Sequence, residues 1–184
     1  VFVGINQKFR SLEAGEGVTD EAIADVKNAI TLWNQENLDK TDCNAANGAN
    51  ARVPNAPCLD LITSGGIADV VIKMKVDNGP ILGLTSLETI SPSSCELKSV
   101  SIQIRGEALG LNFSNVHIIN VTLHELGHAF GLGHTDNQND PMYLSADILD
   151  TCYPVKDPNC IITPFTEVDD IAMNAIYNAG SCIL

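Results

Sequence analysis

The residue types and spacing with the clearest chemical meaning occur in one short segment, 124–134, which reads H-E-L-G-H-A-F-G-L-G-H. Histidines four residues apart lie on the same face of an α-helix, so the imidazoles of His124 and His128 can bind one ion. Gly131 can adopt a positive φ, which lets the helix end and the chain turn back. His134 can then supply a third nitrogen. Three protein ligands leave one coordination position open, which is typical of a catalytic zinc site.

Glu125 follows the first histidine, so its carboxylate is expected beside the metal rather than on it. In that position it can act as the general base that takes a proton from water and passes it to the leaving amine. A bare H-E-x-x-H also occurs by chance on helices that carry two surface histidines. Here five positions match within one segment, and three of the chain's four histidines belong to it, which favours the metal site.

The pattern of apolar residues predicts the elements that must position this segment. It predicts an opening strand over 1–10, a turn over 13–18, and then a helix capped by Thr19 or Asp20. The apolar face of that helix consists of Ala22, Ile23, Val26, Ala29, Ile30 and Trp33. A loop over 41–57 is followed by a buried strand over 67–76, a strand over 81–87, and a half-buried strand containing Val100, Ile102 and Ile104.

The second half of the chain is predicted to contain two helices separated by a loop over 141–164. The first helix begins near Ser114, ends near Gly131 and carries the histidines. The last helix begins at a capping box formed by Thr166 and Asp169. Its predicted core face consists of Ile171, Ala172, Ala175 and Ile176. His117, on the histidine side of the long helix, is predicted to be a packed or exposed side chain and not a ligand.

Composition and charge exclude several classes of function. The chain has 184 residues and a formal net charge of −13 with only 10 Lys plus Arg, which argues against binding to nucleic acids or anionic membranes. No segment has the ~20 consecutive apolar residues of a membrane span. A signal peptide is expected to be absent or already removed. The length suits a single domain, and we expect a monomer.

The six cysteines indicate an oxidising compartment. They form no C-x-x-C pair, and none lies where the histidine segment would need a thiolate. Three disulfides are therefore favoured over a metal cluster, and an extracellular location follows. We expect Cys43 to pair with Cys58 and Cys152 with Cys160, since each pair closes a short polar loop. Cys95 and Cys182 are then paired by elimination.

With these residues placed, the sequence resembles the metzincin clan of zinc endopeptidases, in which H-E-x-x-H-x-x-G-x-x-H is followed by a Met-turn. Met142 matches that turn, and Tyr143 follows it directly, as in the matrixin group. The resemblance implies that Met142 forms a hydrophobic floor beneath the metal. It also implies that Asp169 and Asp170 brace this turn and sometimes the mature N-terminus, although acids at a helix N-terminus are also favoured by its dipole.

The resemblance implies an α+β fold with a twisted, mostly parallel sheet, an active-site helix and a C-terminal helix. It places zinc in a cleft of one catalytic domain, 1–184, between an upper subdomain, 1–134, and a lower one, 135–184. The strand over 81–87 would be the edge that pairs with an extended substrate. Because only His117 lies upstream of the motif, the second, structural zinc of vertebrate matrixins cannot form in the usual way.

The resulting hypothesis is a secreted endopeptidase with one catalytic Zn²⁺, acting on protein or peptide substrates. Two alternatives remain open: a catalytically silent secreted module that binds zinc, and a zinc hydrolase acting on a non-peptide amide. Glu125 argues against the first, because structural zinc needs no neighbouring base. Ca²⁺ is a further candidate cofactor, with Asp136, Asp140, Asp147 and Asp150 as oxygen donors, although their spacing matches no known loop.

Overall fold

The structure is a computed structural model that describes most of the chain. The described residues are 8–40, 42–61, 70–76, 82–87, 90–91, 96–97, 100–108, 111–112, 115–143, 162–163 and 165–178. The helices within these ranges are α1 (Asp20–Leu38), α2 (Asn115–Ala129) and α3 (Glu167–Asn178). The strands are β1 (Lys8–Ala14), β2 (Asp60–Leu61), β3 (Val70–Val76), β4 (Gly83–Leu87), β5 (Ile90–Ser91), β6 (Glu96–Leu97), β7 (Val100–Ala108) and β8 (Leu111–Asn112).

The main sheet has the order β2-β1-β3-β7-β4, with β8 paired to the end of β7. The pairs β1–β2, β1–β3 and β3–β7 are parallel, whereas β4 runs antiparallel to β7. The expected α+β fold with a mostly parallel sheet is confirmed. The position of β4 at the edge of this sheet is also as expected, and the division into two subdomains stays a prediction.

The core lies between this sheet and the first two helices, which pack against each other. In β3, Val70, Ile72 and Met74 are buried while Lys73 between them is exposed, because successive side chains of a strand point to opposite faces. The residues Val100, Ile102 and Ile104 of β7 are buried in the same way. Their alternation in the sequence therefore identified a sheet face that packs against helices.

Helix α1 begins at the predicted cap and packs through Trp33. The Thr19 hydroxyl accepts a hydrogen bond from the Ala22 N–H, so Thr19 is the N-cap. Trp33 is fully buried, and its indole N–H donates to the Pro57 carbonyl. Its ring centroid lies 4.7 Å from that of Phe130 and 5.3 Å from that of Phe165. One side chain thus joins the loop after α1, the end of α2 and the segment before α3.

Two local predictions are wrong. The turn expected over 13–18 begins later, because β1 extends to Ala14 to pair with Met74. On α3, Ile171 is 63% exposed and Ala175 is also exposed, so they are not core residues. The buried face is instead set by Asp169 and Met173, because the Asp169 carboxylate is held by hydrogen bonds described below. Ala172 and Ile176 are half-buried, and Ala172 packs against the core, so the predicted face is right for these two residues and wrong for the other two.

The predicted disulfide between Cys43 and Cys58 is present. Cys95, Cys152, Cys160 and Cys182 lie outside the described residues, so the other two pairings stay predictions. Among the described residues, no helix is both long enough and apolar enough to cross a membrane.

Replacing both Cys43 and Cys58 with alanine should lower the free energy of unfolding by about 2–4 kcal/mol, because the disulfide restricts the unfolded chain. The two cysteines are 15 residues apart, and Cys58 is buried. Urea unfolding followed by circular dichroism measures the change. An unaltered urea midpoint in the double variant would contradict the stabilising role of this bond.

Candidate metal centre

Helix α2 places two of the three histidines. His124 and His128 are one turn apart on the same face, and their Nε2 atoms lie 3.0 Å from each other. Their rings are nearly perpendicular. Both nitrogens therefore converge on one point beside the helix.

The third histidine depends on how α2 ends. Gly131 has a φ of 97°, in the left-handed region that favours glycine. The Leu132 N–H donates to the Gly127 carbonyl and the Gly131 N–H to the His128 carbonyl, which is the Schellman pattern of helix termination. The chain then reverses and places Nε2 of His134 3.0 Å from Nε2 of His128. The expected glycine turn is thus present.

Two main-chain carbonyls orient the helical histidines. Nδ1 of His124 lies 2.6 Å from the Pro141 oxygen, and Nδ1 of His128 lies 2.9 Å from the Leu132 oxygen. A carbonyl only accepts, so each Nδ1 carries the hydrogen and each Nε2 keeps a free lone pair. A hydrogen bond to the second nitrogen is the usual support of a metal-bound histidine.

The environment of His124 and His134 favours their neutral forms. Burial lowers the pKa of His124 to about 4, despite the opposing effect of its bond to the Pro141 carbonyl. Burial also lowers the pKa of His134, and the nearby His128 adds to the shift. A neutral imidazole is the form that binds a metal ion, so at neutral pH these two residues are prepared to do so.

Glu125 lies beside the histidine group but faces the edge strand. It is only 5% exposed, and burial raises its pKa, while a hydrogen bond from Thr85 and the proximity of His128 act in the opposite direction. Oγ1 of Thr85 lies 2.6 Å from Oε2 of Glu125. A carboxyl with a raised pKa beside the three histidines is suited to accept and return a proton.

Met142 lies directly under α2. It is fully buried, and a Cβ on Gly127 would overlap with its sulfur. The Met142 side chain can pack this close to α2 only because Gly127 has no side chain. The Thr135 N–H donates to the Met142 carbonyl, which holds this segment against the chain that carries His134. The predicted role of Met142 as a floor beneath the metal stays a prediction.

A buried carboxyl pair holds the Met142 segment. Oδ1 of Asp140 accepts from the Met142 N–H at 2.7 Å. The Thr166 hydroxyl lies 2.7 Å from Oδ2 of Asp140 and 3.1 Å from Oδ2 of Asp169. One hydroxyl hydrogen cannot serve two ionised carboxylates, so this network is complete when one carboxyl is protonated. Asp169 thus acts on the Met142 segment through Asp140.

Asp170, which follows Asp169 in the chain, binds Arg52 instead. Oδ2 of Asp170 lies 2.6 Å from a guanidinium nitrogen of Arg52, and the same side chain donates to the Phe165 carbonyl. Arg52 thereby ties the loop after α1 to the start of α3. Residues 1–7 lie outside the described part, so a contact with the N-terminus stays a prediction.

Comparisons with known proteins agree with this arrangement. The family model for matrixins, in the M10 peptidases, matches residues 86–157, the stretch that contains the histidines, Glu125 and Met142. The fold is similar to that of archaemetzincin from Methanopyrus kandleri, with a TM-score of 0.59, 13% sequence identity, and coverage of 97% of this chain and 99% of that chain. No curated protein sequence matches.

Over residues 86–157 the sequence is similar to matrixins, and together with the similar fold this supports a zinc metalloendopeptidase. The histidine triad suits the ion of this class, because ligands ~2 Å from tetrahedral zinc lie ~3.3 Å apart. Among the described residues it is the one group of three or more potential metal-binding side chains found within reach of one ion. His117 is buried elsewhere on α2, as the non-ligand interpretation predicted. The calcium site gains no support from the described residues and stays a prediction.

Some residues of this matrixin-like site escaped sequence reasoning. They can be identified only once it is known which segments meet in the fold. They are Thr85 and Gly83 on β4, the carbonyls of Pro141 and Leu132, and Arg52. One signal was present in the sequence, since a glycine inside a predicted strand often marks close approach by another group. Gly83 fits that rule.

The buried pair of Asp140 and Asp169 predicts a pH-dependent stability. Burial raises the pKa of Asp169 from 3.8 to about 6; the Thr166 N–H partly opposes this shift, and Asp140 adds to it. The protonated form is therefore favoured in the folded state, so its contribution is complete below pH 3.8 and is lost as the pH rises through about 6.

We expect Asp169→Asn, whose amide does not titrate, to gain about 1–3 kcal/mol relative to the wild type between pH 4 and about pH 7.5, since one pKa unit corresponds to about 1.4 kcal/mol. Denaturant unfolding of both proteins in the presence of a chelator measures this without a contribution from metal binding. A difference that is the same at every pH would refute the assignment.

Proposed function

We propose that this protein is a secreted endopeptidase in which His124, His128 and His134 bind one zinc ion and Glu125 is the general base. The observation that carries the proposal is the convergence of three imidazole nitrogens next to a buried carboxyl on the same helix. The lone pairs face one point because two of the Nδ1 atoms are occupied by carbonyls.

In the proposed mechanism, zinc and Glu125 have different roles. When bound, zinc supplies a Lewis acid that activates water and polarises the carbonyl of the scissile bond. The Glu125 carboxylate takes the water proton and returns it to the departing amine. Its raised pKa supports this role, because a base that must also act as an acid works best with a pKa near the working pH.

The edge strand supports a peptide as substrate. One side of β4 pairs with β7, and within the described residues no strand pairs with its other side. Leu84, in the middle of β4, is 46% exposed. An extended peptide can add to such an edge through main-chain hydrogen bonds. The contact between Thr85 of this strand and Glu125 brings the edge next to the base.

Replacing Glu125 with alanine should lower kcat/KM on a quenched peptide library by about 10²–10⁴-fold while the protein still binds one zinc ion, because a general base contributes to the rate but is not a ligand. Atomic absorption measures the metal and fluorescence the cleavage. Cleavage equal to that of the wild type and insensitive to chelators would exclude this mechanism. A wild-type protein that binds zinc without cleaving any peptide would favour the silent zinc-binding module.

The extracellular location is supported by the Cys43–Cys58 disulfide, since such bonds persist in oxidising compartments. We expect protein isolated under alkylating conditions to show all six cysteines in disulfides. Mass spectrometry of the intact protein before and after reduction counts the blocked thiols. Alkylation of the cysteines without prior reduction would argue for a reducing compartment.

A further inference from the structure

Two residues of β4 face helix α2 and meet the side chain of Glu125. Gly83 and Thr85 are two positions apart, so they lie on the same face of the strand, while Leu84 between them points to solvent. Thr85 forms a hydrogen bond with Glu125. Gly83 has no side chain, so the Glu125 side chain lies directly against its backbone. Neither belongs to the histidine motif.

The Thr85 hydroxyl has two acceptors within reach. Oγ1 lies 2.6 Å from Oε2 of Glu125, a length typical of a hydroxyl bound to a carboxylate, and 2.9 Å from the main-chain oxygen of the same residue. A hydroxyl has one hydrogen and two lone pairs. It can donate to the carboxylate, or accept from the carboxylic acid while it donates to the main-chain carbonyl. The same contact therefore fits Glu125 before and after it takes a proton.

Gly83 fixes the other side of the carboxyl group. A Cβ at this position would overlap with Oε1, Cγ and Cδ of Glu125. The Glu125 side chain thus lies directly on the backbone of β4. Because the atoms that would be displaced belong to a side chain and not to the backbone, a larger residue here should move Glu125 and leave the strand in place.

We propose that Gly83 and Thr85 are positioning residues that hold the Glu125 carboxyl in the orientation needed for proton transfer. This rests on the proposed function of Glu125 as the base. Thr85 holds Oε2, which leaves Oε1 for the proton of the attacking water. Since β4 is also the proposed substrate edge, one strand sets both the position of the peptide and the direction of the base.

The test compares the zinc-loaded wild type with Thr85→Val, which keeps the shape but loses the hydroxyl, and Thr85→Ser, which keeps the hydroxyl. Thr122→Val is the matched control, because Thr122 is a buried threonine that donates to a main-chain carbonyl within α2. The measurements are zinc content, kcat and KM on one peptide substrate, and a crystal structure of each Thr85 variant.

We expect every protein to bind one zinc ion. Thr85→Val should lower kcat by about 10–100-fold with little change in KM, since a small misplacement of a catalytic group has an effect of this size. Thr85→Ser should stay within about fivefold of the wild type and Thr122→Val within about twofold. In the crystals, the Glu125 carboxyl should leave its position in Thr85→Val and keep it in Thr85→Ser.

Three results would overturn the proposal: an unchanged kcat in Thr85→Val, an equal loss in the Ser and Val variants, or an unmoved Glu125 in the Val crystal. The crystal readout needs no turnover. A wild type without activity would therefore refute the proposed function, while the position of Glu125 in the two variants would still decide the role of Thr85.

Gly83→Ala tests the steric half of the proposal. It should keep its zinc, lose at least about tenfold in kcat, and show a displaced Glu125 in the crystal. Gly133→Ala is the matched control, because a Cβ there would meet nothing within 4 Å and should leave kcat unchanged. Equal kcat values for the two alanine variants would overturn the role of Gly83.

Discussion

The rest of the structure depends on one constraint, which is that three imidazole groups must converge on one point, with Nε2 of His128 3.0 Å from Nε2 of both His124 and His134. A helix supplies two of them from a single face, but the third must come from another direction, so the chain has to reverse within a few residues. Gly131 permits that reversal. The carbonyls of Pro141 and Leu132 then fix which nitrogen of each helical ring carries the hydrogen. Burial keeps His124 uncharged.

The supports of this centre come from distant parts of the chain and are connected to one another. Pro141, which orients His124, is flanked by Asp140 and Met142, and the Asp140 carboxyl holds the Met142 N–H. Thr166 and Asp169 tie Asp140 to the start of α3. The same region is joined to α1 by Arg52 and by the aromatic contacts of Trp33. The start of the last helix is thus linked to His124 by hydrogen bonds and by the backbone of residues 140–142.

The Glu125 carboxyl is supported from the opposite side, by the sheet. β4 runs antiparallel to a mostly parallel sheet and ends its order of strands, so in the part of the chain that the structure describes no strand pairs with its outer edge. Thr85 and Gly83 bring the Glu125 carboxyl against this strand. The positions of the three histidines thus depend on the helix and its turn, whereas the position of the Glu125 carboxyl depends on the contact between the helix and the sheet.

The sequence by itself determined the chemistry and most of the elements, because both follow from local spacing. The histidine positions, the glycine turn, the Thr19 cap, the alternation in β3 and β7, and the Cys43–Cys58 bond are all properties of short segments. Only the tertiary structure decided which groups far apart in the chain would meet. The buried face of α3 differs from its apolar pattern because Asp169 is satisfied by Thr166. The partners of Glu125 and His124 on β4 and at Pro141 likewise depend on packing, which local periodicity does not encode.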